Sequence, residues 1–94
     1  MTREQANKIK EVVERNGFAV RDFHYYKSGK AILELMCYTD DAVKHGDITK
    51  EQIEECVKGF KDIAFYIAED FGVSAEIKKL RYQGFINVYD LYVK

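Results

Sequence analysis

Two helix-starting signatures of nearly the same wording stand 47 residues apart in this chain: TREQ at residues 2–5 and TKEQ at residues 49–52. In the pattern Ser/Thr-x-x-Glu/Gln, the hydroxyl accepts from the amide three residues on, and the Gln side chain reaches back to the Thr amide. After the first signature Ala6, Ile9, Val12 and Val13 recur on one helical stripe, and Asn16-Gly17 is a stop signal. After the second, Ile53, Cys56, Val57, Phe60, Ile63, Ala64, Ile67 and Phe71 form a wider stripe that Gly72 ends. The second helix is therefore predicted to span about 22 residues, on the order of 33 Å at 1.5 Å per residue.

Each predicted helix is followed by two runs rich in β-branched and aromatic residues, separated by a glycine-containing break. FAVRDFHYY (18–26), KSG and KAILELMCY (30–38) follow the first helix. VSAEIKKLRY (73–82), QG and FINVYDLYV (85–93) follow the second. Gly17 and Gly72 lie 55 residues apart, as do Gly29 and Gly84. The chain thus reads as an αββ unit used twice: residues 1–38, a connector over 39–48, and residues 49–94. Within the connector, Thr39 is placed to cap one helical turn running to Lys44, with Gly46 ending it.

Two αββ units can share one four-stranded antiparallel-type sheet with both helices on one face, an α+β fold. The simplest order sets the first strand outermost, then the second, fourth and third, which is a circular permutation of the ferredoxin-like arrangement. The second and fourth runs are the most hydrophobic and suit the centre. The outer runs carry Arg21, Asp22, Glu76, Lys78 and Lys79, charges that guard exposed edges. Ninety-four residues supply a single core, so the chain is read as one domain.

Strand side chains alternate between faces. Ala31, Leu33, Leu35 and Cys37 suit the helix-covered side, which sends Lys30, Ile32, Glu34, Met36 and Tyr38 to the open side. The fourth strand admits two registers. With Asn87 outward, Phe85, Tyr89 and Leu91 join the open face; with Asp90 outward, Ile86, Val88 and Tyr92 do. Aligning Ile86 and Val88 with Ala31 and Leu33 in the repeat favours the first. Either register leaves an apolar open face, unless charged neighbours cover it, and a contiguous exposed apolar patch of several hundred Å² marks an interaction site. Ile32, Met36, Tyr38, Phe85 and Tyr89 are accordingly the expected partner-binding residues. Phe65 joins them, because it falls on the solvent face of the long helix among Glu51, Glu54, Lys58, Lys61, Asp62 and Glu69.

The expected function is a small protein-interaction module that binds a partner or a second copy through this face. Two alternatives follow from the same residues. Aromatics on central strands can stack single-stranded RNA or DNA bases. In QGFINVYD (83–90), however, only Gly84, Phe85 and Val88 fit the RNA-recognition strand pattern, while Asp90 would repel a phosphate chain. Fifteen basic against sixteen acidic residues also lack the basic excess of a nucleic-acid binder. The other alternative is an inhibitor of the phage or mobile-element kind that binds a basic groove of a nucleic-acid-handling target. Asp40, Asp41, Asp47, Glu51, Glu54 and Glu55 outnumber Lys44 and Lys50 near the connector.

No enzyme signature is present: there is no glycine-rich phosphate loop, CxxC, HExxH or GxSxG. No cofactor and no metal are expected. His45 lies near Asp40, Asp41 and Asp47, but this spacing matches no defined cation loop. Cys37 and Cys56 both fall on core stripes, which suits reduced structural thiols. Lys27, Lys30, Lys78, Lys79 and Arg81 read as charges spread over different faces. No apolar run approaches the roughly 18 residues of a membrane span. The first residues lack a basic-then-apolar signal pattern, so the expected location is cytoplasmic.

Overall fold

In the computed structural model, both Thr signatures close as capping boxes. The Gln5 amide donates to Thr2 Oγ1 at 3.1 Å and the Thr2 amide to Gln5 Oε1 at 2.9 Å; Thr49 and Gln52 repeat both bonds at 3.1 and 2.9 Å. These caps open α1 (Arg3–Arg15) and α3 (Lys50–Phe71), and the latter ends on Gly72 in the left-handed region, with φ 64°. A side chain with a Cβ disfavours that conformation, so glycine is the residue that stops α3 there. Strands β1 (Val20–Tyr25) and β2 (Ala31–Tyr38) follow α1. The short α2 (Asp40–Lys44) joins the halves, and β3 (Ala75–Gln83) and β4 (Ile86–Val93) complete the chain. The structure describes the backbone of residues 1–94 and every side chain except those of Lys79 and Gln83.

The fold is α+β. All strand pairs are antiparallel and the sheet order is β1-β2-β4-β3, so β2 and β4 are central. One apolar cluster joins Ala6, Ile9 and Val13 of α1, Phe60, Ile63, Ala64 and Ile67 of α3, and the sheet residues Ala31, Leu33, Leu35, Cys37, Leu91 and Val93. Each fully buried Leu, Ile or Phe among them contributes about 1.5–3 kcal/mol, which is what holds the helices to the sheet.

Two expectations need correction. Residues directly opposite one another share a face, and Leu35 pairs with Tyr89 while Glu34 pairs with Asp90. Asn87, Tyr89, Leu91 and Val93 therefore lie on the helix side, and Ile86, Val88, Asp90 and Tyr92 on the open side, the reverse of the favoured register. Asp90 decides the matter physically. On the helix side it would sit unpaired among aliphatic groups, whereas on the open side it meets Arg81 at 2.7 Å. Thr39 precedes α2 as expected, but its hydroxyl makes no capping bond; its amide donates to the Phe85 carbonyl at 2.9 Å instead.

Candidate functional site

The open face of the sheet is organised in three bands that cross the strands. Its middle band is charged, because the register sets Asp22 opposite Glu34 and Glu34 opposite Asp90. Three aligned carboxylates would repel one another, and Arg81 of β3 answers them. One of its terminal nitrogens donates to Glu34 Oε1 and also to Asp90 Oδ1. Those two bonds hold the guanidinium protonated more firmly than usual, Glu34 more than Asp90. The Asp90 side chain is only 7% exposed, so this acid is committed to Arg81 rather than to solvent.

At the other edge of the same band, Asp22 and His24 project together from β1 because they are two residues apart. His24 Nε2 lies 3.0 Å from Asp22 Oδ2 and 4.0 Å from Glu34 Oε2. The Phe23 amide, donating to Asp22 Oδ1 at 2.8 Å, is the main cause that keeps the Asp22 carboxyl below its ordinary value; slight burial opposes it and His24 adds to it. Among the described residues, Asp22, His24 and Glu34 are the one grouping of three or more side chains with metal-ligand spacing. The connector acids around His45 do not form one. Sequence reasoning missed the triad, although Asp-x-His on a strand is a same-face signal; Glu34 enters only through the hairpin register.

The second band is basic and aromatic. Lys30 stands over the rings of Tyr26 and Tyr92, at 5.1 and 5.7 Å, and Lys78 stands over Tyr92 at 5.2 Å. The Lys79 side chain lies outside the described residues, but Lys30 and Lys78 share one face, where the expectation had them on different ones. Each lies within the 6 Å range of a cation–π contact, so the rings are partly covered by the protein's own lysines.

The third band is apolar and lies nearest the connector. Here Met36 pairs with Val88 and Tyr38 with Ile86. Strand β1 begins at Val20 opposite Leu35, so β2 beyond Leu35 has no neighbour on that side. A hollow of about 180 Å³ results, lined by Ala19, Met36, Cys37, Tyr38 and Ile86. Around this end the chain exposes Tyr38 on the open side, Leu80 and Tyr82 on the helix side of β3, where they pair with Tyr89 and Asn87, and Phe85 in the turn, each between 49% and 64% accessible. The connector supports them. The Tyr82 hydroxyl donates to Asp41 Oδ2 at 3.0 Å, which keeps its proton on above the ordinary phenol value, and His45 meets the Phe85 ring edge-on at 5.2 Å.

The expected partner-binding residues thus divide. Ile32, Met36 and Tyr38 lie on the open face, Ile32 beside Tyr92 and the other two in the apolar band. Phe85 lies in the β3–β4 turn at the rim of that band. Tyr89 is on the opposite side, its ring 5.1 Å from buried Phe60. Phe65 is 66% exposed on α3, away from this face. Leu80 and Tyr82 were missed; they stand on the edge strand β3, and the bulge between Ile77 and Lys79 sets them on the helix side, opposite Tyr89 and Asn87.

Among the described residues, no helix is long and apolar enough to cross a membrane. No protein-family profile, curated protein or solved structure matches this chain at a significant level.

Proposed function

We propose that this chain is a non-catalytic interaction module that binds a protein partner through the apolar end of its sheet, and that its doubled αββ unit is a circular permutation of the ferredoxin-like arrangement. The observation that carries the reading is the concentration of exposed large side chains there. Tyr38 ends β2 on the open side, Phe85 lies in the β3–β4 turn, and Leu80 and Tyr82 flank the same end from the helix side of β3; each is about half exposed or more. Aromatic side chains with few rotatable bonds lose little entropy on docking and bury large areas, which is why they anchor interfaces.

Charge selects the kind of partner. The acids Asp40 and Asp41 begin α2 beside this end, and Asp41 holds the Tyr82 hydroxyl. A twofold contact between copies would bring these acids together, whereas a basic surface would be attracted to them. A basic protein partner is therefore favoured over a second copy. The carboxylate row and the lysine-capped tyrosines weigh against single-stranded nucleic acid on the same face.

Affinity capture followed by reconstitution from purified components tests this reading, using the intact chain and the variant Tyr38→Ser/Phe85→Ser. A complex of fixed stoichiometry, weakened by salt and at least ~10-fold by the double substitution, supports it. Three results would overturn it: partner binding unaffected by the double substitution, a dimer of the chain that the double substitution dissociates, or tighter binding of single-stranded oligonucleotides than of any protein.

A further inference from the structure

We propose that Asp22, His24 and Glu34 form a binding site for a first-row divalent cation of the zinc class, separate from the apolar end that carries the partner-binding reading. The three donor atoms lie within 4.8 Å of one another, with His24 Nε2 at 3.0 Å from Asp22 Oδ2 and 4.0 Å from Glu34 Oε2. Bonds of about 2.1 Å to one tetrahedral ion place ligand atoms roughly 3.4 Å apart, so shifts of well under ~1 Å on average bring the triad into position. Asp22 and His24 are half exposed on an edge strand and free to make that adjustment.

The second observation is how the two carboxylates are held. Asp22 Oδ1 accepts from the Phe23 amide, and Glu34 Oε1 accepts from Arg81. In each case one oxygen is fixed by a donor of the protein and the other is the atom directed at His24. Ligating carboxylates are oriented in this way by the hydrogen bonds behind them, and those supports govern affinity. Asp22 and Glu34, with the neighbouring Asp90, set three negative charges against the guanidinium of Arg81, so a dication lowers the repulsion along the row. One imidazole with two carboxylates suits zinc and its neighbours rather than calcium or magnesium, which take oxygen donors alone. Three protein ligands leave a coordination position for water.

Zinc titration of the full chain by calorimetry, paired with cobalt titration followed by visible absorption, tests the site. The expected result is one zinc per chain, a cobalt spectrum without thiolate charge-transfer, and at least ~10-fold weaker binding in both His24→Ala and Asp22→Asn, with His45→Ala unchanged. His24 is half exposed, so His24→Ala is expected to fold, and its circular dichroism checks this; Asp22→Asn gives a second reading that keeps the side-chain shape. Absence of zinc binding in the unsubstituted chain, equal binding in His24→Ala, or a thiolate band assigning the metal to Cys37 and Cys56 would each overturn the proposal.

Discussion

Glu34 and Asp90 face each other across the two central strands, and a single guanidinium nitrogen of Arg81 donates to both. Like charges directly opposite one another destabilise a sheet, so the guanidinium turns a liability into a crosslink between β3 and the two central strands. Arg81→Met leaves two carboxylates opposed, one of them nearly buried. The expected result is a clear loss of stability, smaller than for breaking a fully buried pair because the guanidinium side chain is about one-third exposed. Adding Asp90→Asn restores much of it, since the amide can donate to Glu34. Urea unfolding of both variants beside the unsubstituted chain measures both effects, and an Arg81→Met variant as stable as the unsubstituted chain would mean solvent screens the network.

That network also shows where the sequence stops being legible. The caps at Thr2 and Thr49 need only local spacing, and both were readable. So was the face of β2, where Ala31, Leu33, Leu35 and Cys37 alternate with larger or charged residues. Strand β4 was not, because it carries apolar groups on both sides: Leu91 and Val93 toward the helices, Ile86 and Val88 away from them. The residue that resolves the ambiguity lies on another strand and behind a bulge. Plain alternation would put Arg81 on the same face as Ile77, but the bulge between Ile77 and Lys79 inserts one residue and turns Arg81 to the open side. The Asp22–His24–Glu34 triad was hidden for a related reason, since only the β1–β2 register brings Glu34 opposite Asp22.

The corrected register separates two tyrosines that the favoured reading of the sequence set on the same open face. Tyr89 packs against Phe60 on the helix side, where burial also raises its phenol pKa. Tyr38 is half exposed on the other side. Tyr89→Asp forces a charge against the core and is expected to cost about 3 kcal/mol or more. Tyr38→Asp should cost less than about 1 kcal/mol, as an exposed substitution does. Thermal denaturation followed by circular dichroism distinguishes them, and equal losses would contradict the assigned faces.

The cysteines differ in burial more than their stripes implied: Cys37 is buried, but Cys56 is only partly so. Burial, and then the neighbouring Cys37 thiol, raise the Cys56 thiol from 9.0 to about 12. A thiol raised in the folded state stabilises the fold fully below pH 9 and loses that contribution as pH climbs from about 9 to about 12. Native protein at pH 8 should therefore alkylate at least ~100-fold more slowly than urea-unfolded protein, because the thiolate is the nucleophile. Cys56→Ser should flatten the alkaline loss of stability. Rapid labelling of the native chain by iodoacetamide would show that Cys56 ionises near its ordinary value.

Gly59 lies in the interior of α3, where glycine costs roughly 1 kcal/mol relative to alanine. The reason it is tolerated lies in the loop after α1. A Cβ at this position would come within 2.9 Å of Phe18 Cζ, and the Phe18 ring packs against Phe60 at 5.4 Å. Gly59→Ala therefore exchanges a gain in helix propensity for displacement of an aromatic ring, and overpacking typically costs 1–3 kcal/mol. A net loss of about 1 kcal/mol is expected. In a Phe18→Ala background the obstruction is gone, and the same substitution should stabilise by about 1 kcal/mol. The change of sign is the diagnostic, and a double-mutant cycle by urea denaturation reads it directly. If Gly59→Ala stabilises both backgrounds equally, Phe18 does not constrain this position, and the close approach of the loop after α1 to α3 has some other cause.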